Sequence, residues 1–473
     1  MGRFLISLVR EHRALMVLLV LAVALRVAVA IAFRPALFFG DSYEYLQLAT
    51  EDPLGISAKR PSGYPLLLKV FSLDGRSVGA VTAVQHLAGL VTGVLVYAML
   101  LRLGVRRWAA AVAAGVVLLD GYAIALEQFV LSEAFFTLAL TAACFLAIGE
   151  RRGPVALGAS GLLLAAGVLM RPAAIFALPF WAAYLLLRRF ERRALAVGAL
   201  ALVLPLFAYA SIFEMKSGEF GITQADGWFL YARVAEMADC RGVRLEREAR
   251  PLCERSPGAG GRRVGYYLWD SRSPARRLFG QIHEPGSRQR RTNDVLKGFA
   301  IDIIAAHPTR YAEMVADDVL RYFQPGVMSV GNSDEGLKLA LPVSGQPLAP
   351  GQRGSNTTPA RPGTLAYQLR RYQDLIHTPR WLLGPLAIAA LLAVVLAAFR
   401  RNRAVMAHGR EVMLLAGAGL AMLVGSVATS EFIVRYLIPF VPLLISGGIL
   451  ALTDLARLAV QRSGNPRSVA RRA

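Results

Sequence analysis

ALMVLLVLAVALRVAVAIAF, residues 14–33, runs directly into RPALFFGDSYEY, residues 34–45, and the reading of the whole chain turns on this stretch. Twenty residues with a single charge, Arg26, suffice to cross a hydrocarbon core of about 30 Å as a helix. The run is long and lacks the small-residue exit of a cleavable leader, so it reads as a retained helix. An acid, Asp41, then stands at its far mouth. Nine more apolar runs follow, at 77–101, 106–126, 131–149, 155–170, 173–187, 194–213, 381–399, 411–429 and 436–453. A soluble chain of 473 residues would not carry 55% hydrophobic residues gathered in this way. The expected fold is a polytopic α-helical membrane protein with ten spans.

The net charge of +21 suggests nucleic-acid binding until it is mapped. With the helices alternating from a cytoplasmic N-terminus, the basic clusters all fall on one side. They are Arg3/Arg10/Arg13, Arg102/Arg106/Arg107, Arg151/Arg152, Arg188/Arg189/Arg192/Arg193, Arg400/Arg401/Arg403/Arg410 and Arg457/Arg462/Arg467/Arg471/Arg472. Those 21 arginines, against Glu11, Glu150, Glu191, Glu411 and Asp454, account for 16 of the 21 net charges. Cytoplasmic loops enriched in Arg and Lys set orientation, so the charge is a topology signal and no nucleic-acid partner is needed. Heavy use of Ala, Arg, Gly and Val with little Lys fits a GC-rich bacterial genome. The expected location is the bacterial inner membrane, with both termini cytoplasmic.

Three parts follow: 1–213 with seven runs, an extracytoplasmic segment 214–380, and 381–473 with three runs and a basic tail. All cytoplasmic connections are short, and the two long outer segments are 34–76 and 214–380. Function is therefore expected on the outer face. Cys240 and Cys253 lie together in the large outer segment, where an oxidising compartment favours a local disulfide. Closing so short a loop stabilises by roughly 3 kcal/mol in the chain-entropy model. In the first outer loop, Ser42–Thr50 has the makings of a short interfacial helix with Asp41 at its N-cap. Arg60-Pro-Ser-Gly-Tyr-Pro65 breaks the chain before a second apolar helix begins. Residues 291–306 and 308–323 have helical periodicity, with Val295, Leu296, Phe299, Ile303 and Ile304 on one face. Residues 325–363, rich in Gly, Pro and Ser, read as an irregular loop, and 364–378 as an amphipathic lead-in. Asn356-Thr-Thr358 matches a glycosylation acceptor pattern, to which we attach no weight.

Asp41, with Glu44 one turn on, is positioned to take a proton from an incoming hydroxyl, or simply to cap a helix. Glu133, in Leu131-Ser-Glu-Ala134 with Glu127 just before it, lies where a carboxylate is costly and usually paired. It could orient an acceptor, hold a metal or balance an arginine. A divalent metal between Asp41 and Glu133 is possible, although no ligand spacing supports one. Lys59, Arg60, Arg171 and Arg435 fall on the side where topology does not explain cations. An arginine fork suits a phosphate, and snorkelling to headgroups is the plainer alternative. Tyr64 and Tyr436, adjoining these cations, are read with them as substrate-binding. Arg26, deep in the first run, calls for a partner, and Asp120 is the expected one. His86, His283 and His307 have no metal spacing.

Asp41 after the first run, Arg60-Pro-Ser-Gly-Tyr-Pro65, Leu131-Ser-Glu133, Leu169-Met-Arg-Pro172 and Arg435-Tyr-Leu-Ile-Pro439 occur in that order. Together they resemble the bacterial branch of the dolichyl-phosphate-mannose-protein mannosyltransferase superfamily, the GT-C membrane glycosyltransferases, of which the lipid A aminoarabinose transferase is a relative. The 214–380 segment contributes nothing to the likeness. The resemblance implies a seven-helix module whose first outer loop carries an acid/base carboxylate, and three further spans. It implies a polyprenyl-phosphate-linked sugar as donor and inverting transfer to a cell-envelope acceptor. Asp41 would then be the base and Arg171 and Arg435 the phosphate ligands. Many relatives carry two adjacent acids where this chain has Asp41-Ser42, which leaves Glu44 and Glu133 open for the second. Two rivals stay open: a secondary transporter or lipid flippase, and a scaffold that presents 214–380 to a partner.

Overall fold

The computed structural model describes residues 11–72, 77–149, 152–324, 340–343, 364–399 and 407–462. Within them each of the ten apolar runs is helical, and the bridge between Leu37 and Phe129 is the β pairing. Among the described residues six helices are long and apolar enough to cross a membrane: Arg13–Ala32, Val78–Arg102, Arg192–Ser217, Leu365–Ala398, Gly409–Thr429 and Val434–Gln461. The apolar helices Glu133–Ala147, Pro154–Met170 and Pro172–Arg188 are shorter. At 1.5 Å per residue such helices reach only about 22–26 Å, short of the hydrocarbon core.

The run expected over 106–126 is not one straight helix. It breaks into Arg107–Leu119 and Gly121–Gln128, bent by 45°. Asp120 makes the break. Its backbone is extended, and its carboxylate accepts from the Ala123 amide at 2.8 Å, capping the second half. Thr378, on the far side of the outer segment, donates its amide and hydroxyl to the other oxygen. Both Asp120 oxygens are thus engaged, and the expected Arg26–Asp120 pair does not form. Arg26 instead donates to Glu127 at 2.7 Å and to the Leu118 carbonyl at 2.9 Å, one of the acceptors the break exposes.

The first outer loop folds as two short helices, Gly40–Glu51 and Gly63–Phe71. Asp41 is not the cap. The helix starts one residue after Phe39, whose amide donates to the Ser42 hydroxyl at 2.9 Å. That leaves the Asp41 side chain in the first turn and free of capping duty. Gly63 sets how closely the second helix approaches the end of the fifth run. A Cβ there would lie 2.6 Å from the carbonyl of Leu169 and 2.8 Å from the Met170 amide. This contact brings the Arg60-Pro-Ser-Gly motif against Leu169-Met-Arg-Pro172.

The outer segment has its own core, in which Trp228, Tyr231, Tyr267, Leu296, Phe299 and Ile303 are buried. Its helices Ser287–Ala306 and Pro308–Arg321 match the expected periodicity, and Ile304 lies partly buried at the edge of that core. Cys240 and Cys253 are joined by a disulfide, as expected. The segment is also tied to the membrane part. The Tyr322 hydroxyl donates to the Ile433 carbonyl at 2.8 Å, and Tyr311 donates to the Ala428 carbonyl at 2.7 Å. The irregular loop expected over 325–363 lies outside the described residues except for 340–343, and Asn356-Thr-Thr358 lies wholly outside them.

Candidate active site

Four stretches far apart in sequence meet at one cavity, and each exposes its charge for a local reason. Pro172 disfavours the helical conformation at the residue before it. Arg171 is accordingly extended, ending the helix Pro154–Met170. Glu133 opens the helix Glu133–Ala147, where the N-terminal dipole favours a carboxylate. Arg435 sits in the short turn Val434–Leu437, held two residues upstream by Tyr322. Asp41 occupies the first turn of its loop helix.

These charges interlock. Arg60 donates to Asp41 Oδ1 at 2.6 Å, and Arg435 donates to Asp41 Oδ2 at 2.8 Å. The Arg435 Nε lies 3.3 Å from Glu133 Oε1, which also receives Arg171. Arg435 therefore bridges the two carboxylates. On the outer side Arg60 reaches Glu44 at 3.1 Å, and Lys59 pairs with Glu44 at 3.0 Å. The guanidiniums lie over aromatic faces: Arg435 is 4.8 Å from the Phe39 ring centre, and Arg171 is 5.1 Å from that of Tyr436.

Burial pushes the Asp41 carboxyl up, but Arg60 and Arg435, with Arg171 behind them, outweigh it and hold it well below the usual range. Arg60 is pushed above its ordinary value: burial lowers it, and Asp41 more than reverses that. In this state Asp41 is ionised and doubly clamped.

The cavity has a volume of about 1220 Å³. Asp41, Glu44, Lys59, Arg60, Arg171, Arg435 and Tyr436 line it, together with Phe229 and Trp269 from the 214–380 segment. All the sequence-derived site residues line it except two. Glu133 lies behind it, touching it through Arg435 and Arg171. Tyr64 does not reach it: the ring is fully buried, and its hydroxyl donates to Gln85 at 2.7 Å. Tyr64 is a packing residue, in edge contact with Tyr45 at 4.8 Å. The metal pair Asp41–Glu133 does not fit either. Three arginines already neutralise these carboxylates, and no group of three or more metal-ligating side chains exists among the described residues.

The sequence reading assigns no role to Phe39, whose face carries Arg435, and does not join Glu127 and His86 to Gln85 and Gln128 as one buried set. The signal for the latter was present. Gln85 and His86 are consecutive polar residues inside an apolar run, and His86 was weighed only as a metal ligand.

Residues 71–215 match the model of the family described as dolichyl-phosphate-mannose-protein mannosyltransferase. The matched third of the chain includes Glu133 and Arg171, and it agrees with the motif order on a glycosyltransferase. Asp41 and Arg435 lie outside it. No curated protein matches the chain. Among solved structures, the Archaeoglobus fulgidus oligosaccharyltransferase AglB, in complex with an inhibitory peptide and a dolichol-phosphate, is similar at 13% identity and a TM-score of 0.40. That likeness covers 96% of this chain and 52% of the other. The same organism's oligosaccharyltransferase tethered to an acceptor peptide is similar at 13% identity and a TM-score of 0.41, covering 98% and 52%. The chain thus spans about half the length of these structures.

Proposed function

We propose that the chain transfers a sugar from a polyprenyl-phosphate donor to a cell-envelope acceptor on the outer face of a bacterial inner membrane, with both termini in the cytoplasm. The observation that carries this reading is the arginine bridge. A carboxylate able to act as base and the cations able to hold a phosphate share one cavity and are bound to each other.

The donor phosphate competes with Asp41 and Glu133 for Arg435 and Arg171, and a guanidinium fork binds phosphate as readily as carboxylate. Drawing Arg435 toward the phosphate removes part of the attraction that holds the Asp41 carboxyl down. Burial, the largest influence on that carboxyl and an upward one, then weighs more. Asp41 gains proton affinity when the donor is bound, as a general base requires. The acceptor hydroxyl gives its proton to Asp41, and its oxygen forms a bond to the anomeric carbon. The bond from that carbon to the phosphate oxygen breaks, and its electron pair leaves on polyprenyl phosphate. The arginines match the growing charge, and displacement from the opposite face inverts the anomeric centre.

The test uses the purified chain in lipid nanodiscs with a synthetic polyprenyl-phosphate sugar and an envelope extract. Polyprenyl phosphate should be released only with both present, and Arg171→Ala and Arg435→Ala should each weaken donor binding. Unchanged donor affinity in both variants rejects the phosphate site.

A further inference from the structure

Beneath the site a chain of buried polar side chains runs through apolar surroundings, where ionisable groups are costly. It starts at Arg26 in the first span, which is bonded to Glu127 Oε1 at 2.7 Å. Glu127 Oε2 meets His86 Nδ1 at 2.8 Å, and His86 Nε2 meets Gln128 Oε1 at 2.8 Å. Gln128 Nε2 donates to the Phe33 carbonyl at 2.8 Å. Gln85 Nε2 donates to the carbonyls of both Glu127 and Phe129 at 2.8 Å. All five side chains are buried. Gly89 leaves the room for this arrangement, because a Cβ there would fall 1.8 Å from Glu127 Oε1.

Hydrogen-bond chemistry fixes the direction of the chain. Gln128 faces a carbonyl with its nitrogen, so its oxygen must accept, and His86 Nε2 must carry a hydrogen. His86 Nδ1 and Glu127 Oε2 form the next hydrogen-bonded pair. The sequence is directional, and every member has a partner.

The far end of the chain is the backbone that leads to the two candidate carboxylates. The Leu37 amide donates to the Gln128 carbonyl at 2.9 Å, and the Val130 amide donates to the Leu37 carbonyl at 3.0 Å. Leu37 is four residues before Asp41, and Phe129 is four before Glu133. One isolated bridge therefore ties the segment that ends in Asp41 to the segment that ends in Glu133. An isolated pair of strands this short has little stability of its own. The side-chain network anchors both of its edges.

We infer that His86 and Gln128, with Glu127 and Arg26 behind them, are positioning residues. They clamp the Leu37–Phe129 bridge, and through it they keep Asp41 and Glu133 in the register that lets Arg435 span both. This rests on the functional reading above for its consequence in turnover, but not for its geometry.

The experiment reads position without turnover. Full-length wild type, His86→Ala, Gln128→Ala and His86→Gln in nanodiscs are treated with a water-soluble carbodiimide and glycine ethyl ester. Labelled carboxyls are then mapped by mass spectrometry. In the wild type Asp41 is shielded by its arginines. Both Ala variants should label Asp41 several-fold faster, with Asp226 and Asp374 unchanged, and His86→Gln should restore most of the protection because an amide can still donate to Gln128. Where transfer is measurable, kcat should fall in the Ala variants. If neither Ala variant folds, the isosteric Gln128→Glu, which turns the donor facing Phe33 into an acceptor, must give the same selective labelling. Unchanged Asp41 labelling in folded variants, or a uniform rise at all carboxyls, overturns the inference. Selective labelling in a protein that transfers no sugar keeps the inference and counts against the functional reading instead.

Discussion

At Asp41 the opposing influences have different fates when substrate binds. Burial raises the carboxyl, and the arginines lower it by more. Only the arginines can be diverted by a phosphate. The resting carboxyl therefore stays ionised well into acid, and the stability its ion pairs contribute is present above the ordinary aspartate range and lost as pH falls below it. Under the proposed function, the proton affinity of Asp41 rises with donor bound. The acid limb of kcat, which reports the complex, should lie at higher pH than the acid limb of kcat/KM, which reports the free protein. Coincident limbs would mean that Arg435 does not leave Asp41. Residue chemistry also explains why Arg26 chose Glu127. Asp120 is the partner the sequence suggests, but both its oxygens are already used, one to cap a helix and the other to bind Thr378. A sequence indicates that a buried arginine needs a partner, and only the backbone break decides which carboxylate remains available.

At the scale of elements, the apolar runs were legible because burial in lipid demands continuous hydrophobicity, and all ten are helical where expected. The bend in the third run was not legible, since an Asp inside an apolar stretch reads equally as an ion-pair partner or a cap. The contact between the Arg60-Pro-Ser-Gly and Leu169-Met-Arg-Pro motifs was not legible either, because a glycine's reason for being small lies in the element it touches. Gly63 supplies a direct check. Gly63→Ala forces a Cβ against the Leu169 carbonyl and should cost about 1–3 kcal/mol as overpacking. Gly298→Ala, at a helical position with nothing within 4 Å, should be neutral or stabilising by up to about 1 kcal/mol. Thermal unfolding in one detergent compares the two. Equal effects would mean that the close approach at Gly63 is not a constraint.

For the whole molecule, the order of five short motifs along the chain anticipated a convergence that none of them shows alone. Asp41 and Arg435 are separated by 394 residues and lie in hydrogen-bond contact. Asp41, Glu44, Lys59, Arg60, Arg171, Arg435 and Tyr436 come together around one cavity with Glu133 behind it, because charges at the ends of apolar helices have few places to go but one shared polar site. Tyr64 failed the same logic, since an aromatic ring beside a charged motif can satisfy its hydroxyl inside the core. The network of Gln85, His86, Glu127 and Gln128 shows in the sequence as two adjacent polar pairs inside apolar runs, but only the fold brings the two pairs together. The central claim is that Asp41 accepts the proton during transfer. Asp41→Asn keeps the size of the side chain and removes its charge. Measured on folded protein with donor bound, turnover should fall by roughly 10²-fold or more, with Glu44→Gln milder. Folded Asp41→Asn protein that binds donor and transfers sugar at a near-normal rate would contradict the account and move the base elsewhere, with Glu133 the next residue to test.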